Sequence, residues 1–132
     1  MGAVTVSVWD ETQSGHRVER TKLRLISDRV TAADLIEHRI AQEVEEYNRN
    51  CSGIFKGLVQ PATATESGDS FRMHDSREID AAAQVRFALD AFRERLLVIA
   101  VDDHPILDPD EWTSISTDSS VTFRKLAPLV AG

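Results

Sequence analysis

Ser120-Val121-Thr122-Phe123-Arg124-Lys125-Leu126, close to the end of the 132-residue chain, alternates apolar and polar side chains with a period of two. That period marks a strand half-buried in a sheet. Ala127-Pro128-Leu129-Val130-Ala131-Gly132 follows as a short tail. Pro128 ends the ladder, because it has no N–H to donate and drives Ala127 into an extended conformation. Chain ends are usually polar and frayed. This one is small, apolar and finishes on glycine, so it is expected to project from the core and to be threaded into another protein.

Working back along the chain, Val4, Val6 and Val8 alternate with Thr5, Ser7 and Trp9, a second strand. Asp10 to His16 is rich in turn formers, and Arg17 to Ile26 resumes the alternation, so the chain opens on a β-hairpin. Thr31 and Asp34 have the spacing of a capping box. Behind them Leu35, Ile36, Ile40, Val44 and Tyr47 form an apolar stripe at helical spacing, with Glu37, Arg39, Glu43 and Glu45 placed off it. Cys51 to His74 shows little periodicity and exceeds the usual connection of about 4–6 residues, which predicts a functional or mobile segment. Within it Ala62 to Ser70 reads as an exposed flexible loop.

A second helix is expected near Ser76, capped by Asp75 with Glu78 as its acid, and burying Ile79, Ala82, Val85, Leu89, Phe92 and Leu96. Leu97 to Val101 is a continuous apolar run, expected as a strand buried on both faces. His104-Pro105-Ile106 is read as a short edge strand, and Leu107 to Trp112 as a brief helical turn with Pro109 after the cap Asp108. The fold class is therefore α+β: a mixed four- to five-stranded sheet, one crossing helix, and an inserted loop with a second helix. Residues 1–132 form one domain, with 51–95 inserted and 127–132 as the tail. Without the insertion the last strand should lie parallel to the first at the sheet centre, since the intervening helix supplies the long crossover.

A Val-Thr-Phe strand, a Pro-containing apolar stretch and a terminal glycine resemble the end of ubiquitin-like β-grasp proteins, closest to the bacterial sulfur carriers of molybdopterin and thiamine biosynthesis. That resemblance implies a β-grasp fold and a protein carrier or modifier. An adenylating, ubiquitin-activating-type enzyme would activate the Gly132 carboxylate for sulfur transfer or attachment to a target protein. Pro128, Leu129, Val130 and Ala131 would thread its channel. The family ends Gly-Gly, whereas this chain ends Ala131-Gly132, which places a Cβ in a channel shaped for bare backbone. A rival reading keeps the frame but binds a partner non-covalently, through the sheet or the 51–74 insertion. Phe55, Leu58, Val59, Phe123 and Lys125 are the candidate partner-contact residues.

With 42% hydrophobic and 28% charged residues this is an ordinary globular composition, long enough for one buried core. A formal charge of −7 repels nucleic acid phosphates and anionic membranes. An acidic cluster, Asp102, Asp103, Asp108, Asp110 and Glu111, reads as a solvated rim suited to a basic partner; its spacing fits no calcium loop. His16, His38, His74 and His104 lack metal-ligand spacing, so neither a metal nor a cofactor is expected. Cys51 is the single cysteine, read as a small buried apolar residue rather than a nucleophile. No phosphate loop or nucleophile elbow occurs, and an enzyme is not expected. The opening residues lack the basic and apolar segments of a secretory leader, and no apolar run is long enough to span a membrane. A cytoplasmic monomer is the expectation.

Overall fold

The computed structural model describes residues 3–74 and 78–131. In chain order the first half contains β1 (Val4–Glu11), β2 (Arg17–Leu25), β3 (Arg29–Thr31), α1 (Ala32–Asn50), β4 (Ile54–Phe55), β5 (Gln60–Pro61), β6 (Thr65–Ser67) and β7 (Ser70–Arg72). The second half adds α2 (Ala81–Arg93), β8 (Leu97–Val101), β9 (His104–Ile106), β10 (Trp112–Ser114), β11 (Ser120–Lys125) and β12 (Val130–Ala131).

The main sheet is mixed and five-stranded, in the order β2-β1-β11-β8-β9. Its central pair, β1 and β11, is parallel, with Ser7 to Glu11 opposite Ser120 to Arg124, while the other neighbours run antiparallel. The strand quoted at the outset thus lies beside the first, as its alternation and the crossover rule require. Asp102 and Asp103 form the two-residue turn between β8 and β9, at φ 50° and 69°. Two successive left-handed residues are what a tight hairpin matched to strand twist demands, and aspartate tolerates them.

α1 begins as read. Thr31 accepts from the Asp34 N–H and the Asp34 carboxylate accepts from the Thr31 N–H, at 3.1 and 3.0 Å. Leu35, Ile36, Ile40, Val44 and Tyr47 are buried against Val6, Val8, Leu23, Val121, Phe123 and Ile99 of the sheet. Each such fully buried aliphatic or aromatic side chain stabilises the fold by about 1.5–3 kcal/mol.

Several expectations need correction. α2 starts at Ala81, with the Asp80 carboxylate accepting from the Ala83 N–H; the cap expected at Asp75 lies outside the described residues. Its buried stripe is Gln84, Ala88, Ala91 and Phe92, with Ala82 and Leu96 exposed. The small residues Ala88 and Ala91 allow close packing against α1, and Gln84 Nε2 donates to the Val59 carbonyl at 2.9 Å, so the helix turns that face inward. Ala62 to Ser70 is not a featureless loop. It carries β6, and β6 pairs with β7 around Gly68 (φ 64°) to join β4 in a three-stranded sheet. Residues 107–112 form a turn rather than helix, and Trp112 enters β10, which pairs with β3. β8 is buried on one face only, with Val98 and Ala100 half-buried on the other. Among the described residues no helix is long and apolar enough to cross a membrane.

Candidate functional site

Alternation along β1 sends Val6, Val8 and Asp10 toward the helices, and Ser7, Trp9 and Glu11 away from them. Asp10 is therefore a carboxylate at the carboxyl end of an otherwise apolar stripe. Its partner arrives from α1. Arg39 is fully buried and donates through Nη1 and Nη2 to the two Asp10 oxygens at 2.6 and 2.9 Å. Its Nε donates to Glu43 at 2.9 Å, and the guanidinium lies 4.6 Å from the Phe123 ring centroid. Glu43 accepts in turn from the Leu58 N–H, tying the insertion to α1. Burial works against a charged Arg39, but Glu43 and Asp10 hold it protonated well above its usual range.

The strand partner of Asp10 supplies a second cation. Between Val8 and Trp9 the β1–β2 register slips, with Val8 opposite Thr21 and Trp9 opposite Glu19, which leaves Arg20 as the extra residue of a bulge. A bulge re-aims a side chain. Here Arg20 Nε reaches Asp10 at 3.1 Å, Nη1 reaches the Asp69 carboxylate at 3.2 Å, and Nη2 donates to the Asp69 carbonyl at 2.8 Å. One carboxylate on β1 thereby joins β2, α1 and the insertion.

A groove of about 650 Å³ opens over this network at the carboxyl ends of β1 and β11, within the size range of ligand pockets (about 300–1,000 Å³). Asp10, Arg20, His16, Phe71, Lys125 and Pro128 are among its walls. Lys125 lies over the Phe71 ring at 5.8 Å, and its Nζ makes no hydrogen bond or ion pair among the described residues. Burial lowers its pKa; the Asp10 charge opposes this, and Arg39 and Arg20 add to the lowering.

The other face of the sheet points away from both helices. Trp9 sits at its centre, half-buried between Glu19 on β2 and Thr122 on β11. Arg17 stacks 4.8 Å from the Trp9 centroid and donates to Thr122 Oγ1 at 2.9 Å. Among the described residues of these three strands, Arg17, Lys22, Arg24 and Arg124 project on this face against only Glu11 and Glu19. It is a cationic, tryptophan-centred surface on a chain of net charge −7.

The expected tail residues are placed differently from the threading picture. Leu129 is buried in the core, its carbonyl accepts from the Gln60 N–H at 2.7 Å, and Val130 and Ala131 run parallel to Gln60 and Pro61. Only Pro128 and Val130 of the four are exposed. The tail is thus docked on its own insertion, because Leu129 finds an apolar seat and β5 offers an unpaired edge. Gly132 lies outside the described residues. Phe55, Leu58, Val59 and Phe123, read as partner contacts, are core residues with at most 1% exposure and cannot form a surface. Of that set Lys125 lines the groove at the carboxyl ends of β1 and β11.

Cys51, read as a small buried apolar residue, is instead exposed at the C-cap of α1; His74 shares a hydrogen bond with Thr65, and Asp102 accepts from the Ser120 N–H. No cluster able to hold a metal occurs among the described residues. Sequence reasoning missed Asp10, Arg20 and the Arg39–Glu43 pair, which it placed on the outer side of α1. The available signal was spacing: Arg39 stands between Ile36 and Ile40, inside the buried arc. No family model, curated protein or solved structure matches the chain.

Proposed function

We propose that this chain is a ubiquitin-like β-grasp domain acting as a non-covalent adaptor, which holds an acidic segment of a partner protein on the open face of its sheet. What supports the frame is the strand order, with first and last strands parallel at the centre and α1 packed across one face. One observation carries the adaptor reading: the outward sheet face concentrates four cations around Trp9 while the chain as a whole is acidic. Such a face attracts a carboxylate-rich protein surface, and the remaining negative charge turns nucleic acid away. Tryptophan and arginine are the residue types that anchor interfaces, through area buried at low entropic cost.

Affinity capture with three forms of the protein tests this: the wild type, the double reversal Arg17→Glu with Arg124→Glu, and a chain extended beyond Gly132 by a tag. An acidic protein retained by the wild type and the tagged chain, and released by the double reversal, is the expected result. Retention by the reversal variant, or recovery of no acidic protein, overturns it.

The strand order also favours a second reading, the carrier activated at Gly132. For that reaction Leu129 to Ala131 must first leave β5 and the core. An ATP-dependent adduct on Gly132, abolished by the tag, would mark the carrier, and the same three proteins report it.

A further inference from the structure

We propose that the groove at the carboxyl ends of β1 and β11 takes a small, uncharged aldehyde or ketone, and that Lys125 Nζ binds it covalently as an imine. Four of the groove's other charged groups, Asp10, Glu11, Arg20 and Asp69, are already engaged. Asp10 holds Arg39 and Arg20, Asp69 holds Arg20, and Glu11 lies between Arg17 and Arg124. Arg20 has four of its five N–H donors directed to Asp10, Asp69 and the Lys56 carbonyl, which leaves one for a ligand. Lys125 alone among these cations forms no ion pair with a carboxylate among the described residues, and it shares the groove with the apolar walls Phe71, Ala127 and Pro128.

Burial and two neighbouring guanidinium groups favour the neutral amine, the two ways in which a lysine is made nucleophilic. The charges facing it come from every element around it: Asp10 on β1, Arg20 on β2, Arg39 and Glu43 on α1, with Glu66, Asp69 and His16 at the rim. The step balances without a further reactant. Nζ attacks the carbonyl carbon, the C–N bond forms, and the π pair moves to oxygen, which takes a proton. The carbinolamine then expels its hydroxyl as water with a second proton, leaving a protonated imine. Of the two protons consumed, one comes from the amine and one from solvent. The cation so formed keeps the charge of the lysine but needs less hydration than an ammonium, and it faces the Asp10 carboxylate.

Lys22, Lys56 and Lys125 are the only lysines of the chain, so the site can be read directly. The wild-type protein is treated at pH 7 with butyraldehyde and cyanoborohydride, and alkylation of each lysine is followed by peptide mass spectrometry. Lys125 is expected to react severalfold faster than the other two, because burial leaves more of its amine unprotonated and the groove seats the aldehyde beside it. Replacing butyraldehyde by formaldehyde should shrink that preference, because formaldehyde has no apolar body to seat in the groove. Equal or slower reaction at Lys125, or a preference identical for both aldehydes, overturns the proposal.

Discussion

Arg39 shows how one residue can hold a domain together without being a source of net stability. A buried guanidinium loses its hydration, and its attraction to Asp10 and Glu43 roughly repays that loss. Removing only the cation leaves two carboxylates stranded. Arg39→Met is therefore expected to cost about 3–5 kcal/mol in urea unfolding, whereas adding Asp10→Asn and Glu43→Gln to it should recover most of the loss. A cost below about 1 kcal/mol for the single change would contradict the geometry. Lys125 gives the opposite linkage. Its folded pKa lies below its unfolded value, so between the two the unfolded chain binds more protons, and stability rises with pH across that window. Its contribution is complete above the unfolded pKa of about 10.4 and is lost as pH falls through the folded value. Relative to Lys125→Met, the wild type should gain stability between pH 7 and pH 10, as read by chemical denaturation at several pH values. A constant difference would show that Lys125 is not desolvated.

At the scale of elements, the tail and the insertion form one unit. Leu129→Ala should cost about 2–4 kcal/mol, the range for emptying a buried leucine site. Hydrogen exchange at the Gln60 N–H, which donates to the Leu129 carbonyl, should accelerate with it. Unchanged protection at Gln60 would mean that β12 is not held by Leu129. The elements most legible in the sequence were those written in local chemistry: the alternating valines of β1, the Thr31–Asp34 box, the Val121–Phe123 strand. The docked tail was not legible, because a free and a seated leucine are the same letter and β5 is only two residues long. The bulge at Arg20 was invisible for a related reason: a register slip is decided by the partner strand, not by the bulged residue. Gly57 belongs to the same class. A Cβ there would fall inside the Phe55 ring, a close approach that no local pattern announces.

On the whole molecule, the sheet divides the charge. The helix side contains the balanced network of Asp10, Arg20, Arg39 and Glu43, while the far side presents Arg17, Lys22, Arg24 and Arg124 around Trp9. Binding through that far side should weaken at least about tenfold between low and high salt, since exposed charges are screened within about 8–10 Å. Reversing Arg17 and Arg124 should abolish this salt dependence while changing stability by no more than about 0.5 kcal/mol per site, as surface substitutions do. Salt-independent capture would place the partner elsewhere. The parallel central pair has one more consequence. β1 cannot obtain its second neighbour until residues 120–124 have left the ribosome, so the growing chain must carry the Ser7–Glu11 edge unprotected through nearly all of its synthesis. A nascent chain stalled before Ser120 would expose two open edges, on β1 and β8, and a chaperone or a second stalled copy could occupy the place reserved for β11.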